Sequence, residues 1–245
     1  IKSIANAASR IVPSMAGLYL LSALTILMLS IDKIDDALNL IIQSAFGLGS
    51  FTGGAIGALI IGFQRSAFSN EAGMGTASIA HSAVETDEPI SEGLVSLLEP
   101  FIDTMVICTL TSLVIITTLY TNDPSLGNLE GIAITSAAFA FHIDWFPVVL
   151  GIAALLFAFS TAIAWAYYGL KSWTYIFGES RGSELVFKMI FCLFVCLGCM
   201  IKLSAVLDFS DAMVFVIAVP NIIGLYLYAP EVKRDLKAYL ARHKI

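Results

Sequence analysis

One stretch of the chain combines residues that bind small charged ligands with residues that break a helix. Residues 68–75 read FSNEAGMG and separate two apolar runs. Gly73 and Gly75 let the backbone leave helical geometry, which frees carbonyl groups to bind a cation and N–H groups to bind a carboxylate. Glu71 adds an ionisable group to the same stretch. The pattern predicts a binding site for a small charged ligand.

Simpler interpretations of this stretch stay open. The polar patch could be a loop between two half-length helices, and Arg65 and Glu71 could pair with each other. Four of the glycines that precede the patch could serve only the close packing of helices; they are Gly49, Gly54, Gly57 and Gly62.

Other candidate sites are weaker. A membrane-embedded enzyme could use Glu71, His81 or Asp103 as acid or base, but no nucleophile and base stand at a recognisable spacing. His81 and Glu85 are one helical turn apart and could bind a metal, yet two ligands do not make a site. The four cysteines lie in apolar runs, where packing is the simpler interpretation and no disulfide or zinc site is expected; they are Cys108, Cys192, Cys196 and Cys199.

Composition indicates which solvent surrounds the elements that position these residues. Of the 245 residues, 58% are hydrophobic and 13% charged, whereas about a quarter of a soluble domain is charged. A lipid bilayer is therefore the expected environment. The net charge of −6 comes mostly from loops and the C-terminal end, so we expect no nucleic-acid partner.

Six membrane crossings are predicted, because a bilayer core of roughly 30 Å needs about 20 apolar residues per helix. Residues 32–46 alternate apolar and acidic positions at helical spacing, which favours a helix on the membrane surface. The predicted segments are residues 11–31, 49–84, 94–120, 146–168, 185–203 and 212–229. The second is discontinuous, and Pro220-Asn221 is expected to interrupt the last.

The distribution of basic residues predicts the orientation of these segments. Lys and Arg gather on the cytoplasmic side of membrane proteins. With the C-terminus inside, most of the basic residues face the cytoplasm, and the loop at 121–145, which has neither Lys nor Arg, faces outward. We expect a multi-pass protein of the plasma (inner) membrane with both termini in the cytoplasm.

The longest motif resembles the signature of a transporter family. GFQRSAFSNEAGMGTASIAHSA, at residues 62–83, is similar to the signature of the alanine or glycine:cation symporters, also called sodium:alanine symporters. Three further stretches resemble the corresponding family segments: RIVPSMAGLY (10–19), LEPFIDTMVICTLTSLVI (98–115) and FAFSTAIAWAYYG (157–169). The resemblance spans nearly the whole chain.

The resemblance implies a fold and a division of the chain. Members are similar to the bacterial leucine transporter, which has two inverted repeats of five helices. Residues 1–31 would end the first repeat, residues 32–48 would form an interfacial helix, residues 49–229 the second repeat, and residues 230–245 a cytoplasmic tail. The chain would then be the C-terminal half of its protein, and the N-terminal half, with another broken helix, would be its partner.

The resemblance also implies roles for individual residues. The unwound stretch would line the substrate pocket with Phe68, Ser69, Asn70, Glu71, Gly73 and Met74, and Trp165 would cap it. The carbonyl of Phe157 with the hydroxyls of Ser160 and Thr161 would bind sodium, since hard cations prefer oxygen ligands. Asp103 could face a second cation or the surroundings of Arg65. The alternative for Ser160 and Thr161 is a bond back to a carbonyl one turn earlier.

These expectations lead to one function and two alternatives. We expect secondary active symport of alanine or glycine with sodium, or with a proton, by alternating access. No covalent chemistry and no organic cofactor are implied, so the chain is not expected to be an enzyme. A membrane-embedded enzyme and an ion channel are the alternatives.

Overall fold

The computed structural model describes residues 2–46, 54–120, 129 and 131–243. Within these ranges every regular element is helical, and none is a strand, which confirms the predicted all-α class. A 3₁₀ turn (Ile31–Lys33) joins α1 to α2, and π-helical segments (Phe101–Cys108 and Ile116–Tyr120) flank α7. The helices are α1 (Lys2–Leu29), α2 (Ile34–Phe46), α3 (Gly54–Asn70), α4 (Thr76–His81), α5 (Pro89–Ser96), α6 (Leu98–Pro100), α7 (Thr109–Ile115), α8 (Ile132–Ala140), α9 (Phe146–Phe177), α10 (Arg181–Met200) and α11 (Leu203–His243).

Several helices are long and apolar enough to cross a membrane. Four stretches of the described chain meet both criteria alone: Pro89–Leu119, α9, α10 and α11. A fifth is added if Pro13–Leu29 and Ile31–Phe46, bent by 75° at their junction, count as one span. The predicted second segment is divided between α3, with 17 residues, and α4, with 6. Its N-terminal end, at residues 49–53, lies outside the described residues.

Two predictions about helix positions were wrong: one helix continues past its predicted interruption, and a predicted loop contains a helix. Pro220-Asn221 does not interrupt the last segment: α11 runs through both Pro220 and Pro230, and residues 230–243 extend it. Membrane helices tolerate proline where side chains or neighbouring helices satisfy the freed backbone groups. The predicted loop at 121–145 contains a short helix, α8, that the sequence analysis missed.

The chain forms two compact units. The first contains residues 1–61 and 104–163, and the second contains residues 62–103 and 164–245. The break between α3 and α4 belongs to the second unit.

The first unit has an apolar core, to which α1, α7, α8 and the start of α9 contribute. Phe139 stacks on Phe146 with ring centroids 4.6 Å apart, and Tyr19 lies 5.2 Å from Phe139. The other buried members are Ala23, Ile26, Leu27, Val114, Leu119, Ala138 and Leu150. Burial of aromatic and aliphatic side chains stabilises this unit by removing apolar surface from water.

Hydroxyl groups in the first unit bond mainly to their own helix. Thr117 and Thr118 are fully buried, and their hydroxyls donate to the carbonyls of Leu113 and Val114 at 2.8 and 2.6 Å. Such bonds let polar side chains enter an apolar core without an unsatisfied donor.

In the second unit a close approach of helices fixes α9 against α10. A Cβ atom on Gly169 would lie 2.7 Å from Cζ of the Phe187 ring, so a larger residue there would require the ring to move. The Trp173 indole N–H donates to the Ser183 hydroxyl at 2.9 Å, and Ser180 caps α10 by accepting from the Ser183 N–H at 3.1 Å. Helix α9 therefore presents the side chains that precede Gly169 on a fixed support.

Candidate functional site

The predicted break in the second segment is present, and it is shorter than predicted. Helix α3 continues through Asn70, so Phe68, Ser69 and Asn70 are helical rather than unwound. The Asn70 side-chain oxygen accepts the Ala72 N–H at 3.0 Å, a local bond that competes with helix continuation. The non-helical stretch is residues 71–75, and α4 begins at Thr76.

Backbone conformation in the break depends on residues with positive φ. Gly73 and Gly75 have φ values of 85° and 92°, and Glu71 has a φ of 53°. Left-handed conformations are accessible to glycine, whereas for other residues they are strained. Glu71 is the one non-glycine residue with positive φ in the described chain. The strained conformation of Glu71 therefore depends on contacts with the surrounding structure.

Glu71 contacts Trp165 on another helix. The indole N–H of Trp165 on α9 donates to Glu71 Oε1 at 3.0 Å. The alternative pairing of Glu71 with Arg65 was wrong, because Arg65 pairs with Asp211 on α11 at 2.5 Å. The Arg65 guanidinium also lies 5.4 Å from the centre of the Phe68 ring.

Asp103 lies beside the end of α3. It stands in the π-helical segment Phe101–Cys108 and accepts a hydrogen bond from the Ser69 hydroxyl. Its place in the surroundings of Arg65 stays a prediction, and the guanidinium forms its ion pair with Asp211. The hydrogen bond from Ser69 to Asp103 is a second polar contact of α3, in addition to the ion pair between Arg65 and Asp211.

Two buried oxygens in this unit lack a partner among the residues described. They are Thr76 Oγ1, at the first residue of α4, and Asp211 Oδ1. Buried polar groups are normally hydrogen-bonded, so an unpaired one needs an explanation. Thr76 is next to the break, where its hydroxyl is available to a ligand. Met74, also predicted to line the pocket, is buried.

The proposed sodium ligands lie on α9, in the first unit. The Ser160 hydroxyl donates to the Phe157 carbonyl at 3.0 Å. This is the bond predicted by the simpler interpretation for Ser160. Thr161 is exposed on the same helix.

His81 pairs with acidic residues other than Glu85, which lies one helical turn away. Its Nδ1 lies 2.6 Å from Glu92 and its Nε2 lies 3.6 Å from Glu99, whereas Glu85 is not a partner. No group of three or more His, Cys, Asp or Glu side chains in the searched part of the chain could hold a metal ion. His81 therefore connects α4 to α5 and α6 by polar contacts.

Sequence reasoning missed two residues of this site, Asp211 and Asn221. The Asn221 side-chain N–H donates to the Gly73 carbonyl at 2.7 Å. Pro220-Asn221 was noticed only as an interruption, and Asp211 is an acidic residue at the start of a long apolar run. A polar residue inside a membrane helix is a signal that could have found both.

Comparison with known proteins gives relatives over the whole chain. A sodium/alanine symporter of Methanococcus maripaludis, AgcS, is 38% identical over 98% of this chain. An uncharacterized transporter of Haemophilus influenzae is 36% identical over the full chain, and a probable sodium/glutamine symporter of Bacillus subtilis, GlnT, is 33% identical over the full chain. These alignments cover 52%, 54% and 51% of the three relatives, so the chain spans about half their length.

A family profile completes the comparison. The profile of the sodium:alanine symporter family matches residues 1–245, which include the break, Trp165 and the helices that carry them. The resemblance read from the motif at residues 62–83 is thereby confirmed, and this chain belongs to the sodium:alanine symporter family.

Proposed function

We propose that this chain forms about half of a secondary transporter that carries a small neutral amino acid, alanine or glycine, together with sodium. The observation that carries the proposal is the break at residues 71–75, where the Glu71 carboxylate accepts a hydrogen bond from the Trp165 indole. Broken helices at membrane depth are tolerated where they line a cavity, and secondary transporters use them to hold substrate near the midplane.

The break offers groups that suit the two charged ends of an amino acid. Positive φ at residues 71, 73 and 75 turns successive peptide groups in alternate directions, and backbones of this kind form concave N–H sites for carboxylates. The buried Thr76 hydroxyl adds a donor beside them. Substrate amino groups would be attracted to the Glu71 carboxylate. Trp165, held by Glu71, would limit the size of the substrate side chain.

Sodium would be the co-transported ion, with Phe157, Ser160 and Thr161 as ligands. The carbonyl of Phe157 and the hydroxyl of Ser160 are 3.0 Å apart, a separation at which both oxygens can contact one hard cation. When sodium binds, the Ser160 hydroxyl would turn its lone pairs to the ion and give up its bond to the carbonyl. Asp103 is a further candidate for a cation or a proton.

The same proposal includes the membrane topology. Six crossings, with the α3 and α4 pair as the discontinuous one, would follow the inverted-repeat fold of the leucine transporter. The basic residues of residues 230–245 favour a cytoplasmic C-terminus in the plasma membrane. The other half of the protein would supply the first broken helix and complete both sites.

Membership in a symporter family argues against the enzyme and channel alternatives. His81 is engaged with Glu92 and Asp103 with the Ser69 hydroxyl. The names of the relatives are those of symporters and carriers, and one of them names glutamine. Glutamine is therefore a second substrate to test.

Uptake by the full-length protein in liposomes tests the proposal. Radiolabelled alanine, glycine and glutamine are supplied with an inward sodium gradient, and potassium replaces sodium in a matched series. We expect sodium-dependent uptake of alanine or glycine. Uptake at the level of empty liposomes for all three, or equal uptake in sodium and potassium, would reject it. Residues 1–245 alone serve as a control and should not transport, because both sites need the other half.

A further inference from the structure

Asn221 on α11 touches both glycines of the break. Its Nδ2 donates to the Gly73 carbonyl at 2.7 Å. A Cβ atom on Gly75 would lie 3.0 Å from Asn221 Oδ1 and 3.2 Å from Asn221 Cγ. One side-chain amide therefore bonds to the backbone at Gly73 and packs against it at Gly75.

The bond to Gly73 differs from the hydrogen bonds to two other backbone carbonyls of the break. The Glu71 carbonyl accepts the Met74 N–H at 3.2 Å, and the Gly75 carbonyl accepts the Ser78 hydroxyl at 2.6 Å. Both of these donors come from the same short stretch of chain. The Gly73 carbonyl accepts from a residue 148 positions away. Its orientation therefore depends on a second helix.

Helix α11 holds the broken segment at two places. Asp211 pairs with Arg65 on α3, before the break, and Asn221 bonds within the break. Ten residues of helix separate the two contacts by about 15 Å. Since α11 is continuous between them, a change in the position of either contact is transmitted along a stiff element.

We propose that Asn221 is a positioning residue for the break: its amide holds the Gly73 carbonyl and the backbone at Gly75 in the conformation that receives substrate. The effect on transport rests on the proposed function. The claim that Asn221 fixes the backbone conformation of the break depends only on contacts within this chain. The two parts are tested by different measurements.

Hydrogen exchange of the amides at residues 71–76, in the full-length protein in nanodiscs, tests the holding of the break. Asn221→Asp keeps the side-chain shape but removes the donor to Gly73. We expect exchange of these amides to become about five- to tenfold faster, because a lost hydrogen bond makes local opening easier. The matched control is Asn39→Asp, the same chemical change at an exposed position of α2, which should leave residues 71–76 unchanged.

Asn221→Ala removes the donor and the contact with Gly75 together. Its exchange should be at least as fast as that of Asn221→Asp, and either variant is sufficient if the other does not fold. Exchange at residues 71–76 within twofold of wild type in the folded variants would overturn the proposal.

Transport by the same variants separates the two hypotheses. At saturating sodium, Asn221→Asp should raise the KM for the transported amino acid about five- to tenfold and alter the maximum rate less, since the binding conformation is less populated. Faster exchange with no transport by wild type would reject the proposed function and leave the holding role intact. Faster exchange with an unchanged KM, in a protein that transports, would overturn the positioning role.

Discussion

The two units of this chain are stabilised by different kinds of contact. The contiguous buried core belongs to the first unit and centres on Phe139 and Phe146, and the buried Thr117 and Thr118 hydroxyls there bond to carbonyls one turn earlier. In the second unit the contacts distant in sequence are polar, as in Arg65 with Asp211 and Glu71 with Trp165. Apolar packing favours one arrangement, whereas polar pairs can be exchanged for a ligand or a new partner. The difference places the buried apolar core in the first unit and the polar contacts around the break in the second.

The largest expected effect is on the core of the first unit. Phe139→Ala in the full-length protein should lower the free energy of unfolding by about 3–5 kcal/mol, since Phe139 is fully buried. Thermal unfolding in detergent measures this loss of stability. Phe141→Ala is the matched control, because the Phe141 side chain is 47% exposed. Equal destabilisation by the two variants would contradict a core centred on Phe139.

Removal of the Glu71 carboxylate should affect transport far more than stability. Glu71→Ala leaves the Trp165 indole N–H without its acceptor and should slow uptake roughly ten- to hundredfold. Glu71→Gln keeps an oxygen for the indole and should retain part of the rate. Uptake kinetics and thermal unfolding are compared for both variants. Wild-type uptake by both would exclude Glu71 from the site.

The indole of Trp165 is expected to limit substrate size. Trp165→Ala should raise the apparent KM for alanine about tenfold and admit larger side chains, because a large ring supplies contact area and occupies volume. Competition between alanine and leucine for uptake measures the change in preference. Trp173→Ala is the control, since that indole bonds to Ser183 on α10 instead of to the break. An unchanged preference would remove Trp165 from the pocket.

The hydroxyl of Thr161 tests the sodium ligands. Thr161→Val keeps the side-chain shape and should weaken apparent sodium affinity about five- to tenfold. Alanine affinity at low sodium should fall as well, since coupled ligands act reciprocally. Alanine binding is titrated against sodium. Thr25→Val removes a hydroxyl that bonds back to the Leu21 carbonyl and should leave the titration unchanged. Superimposable titrations for wild type and Thr161→Val would exclude this site.

The smallest effect is expected for an exposed ion pair of the second unit. Arg242 lies 2.8 Å from Glu88, and the Arg242 side chain is 62% exposed. Arg242→Gln should change the free energy of unfolding by less than about 1 kcal/mol, and the difference should disappear at high salt. Arg234→Gln is the control, because Arg234 pairs only with near neighbours on α11. A large, salt-independent loss would show that polar contacts stabilise this unit as strongly as apolar ones.

Local residue types were enough to predict the break, but not its limits. Gly73 and Gly75 indicate a departure from helical geometry, whereas the end of α3 depends on a bond from Ala72 to the Asn70 side chain. A bond of this kind has alternatives of similar energy, so its position is hard to predict from sequence. Pro220 indicated an end to the last helix, but α11 continues through it.

Long-range partners were not predictable in the same way. Arg65 has an acidic residue six positions away in Glu71, yet it pairs with Asp211, 146 positions away. His81 likewise pairs with Glu92 rather than with Glu85. Sequence spacing determines which side chains share a face of one helix, whereas these pairs depend on which helices pack together. The roles of Phe157, Ser160 and Thr161 stay predictions.

The length of α11 has a consequence for experiments from either side of a membrane. With 41 residues it is about 60 Å long, roughly twice the thickness of a bilayer's hydrocarbon core. Its charged last turns therefore stand in water, and Arg242 there contacts Glu88, in the stretch between α4 and α5. Glu88 and His243 then share one aqueous compartment. A membrane-impermeant reagent should reach cysteines placed at these two positions from the same side.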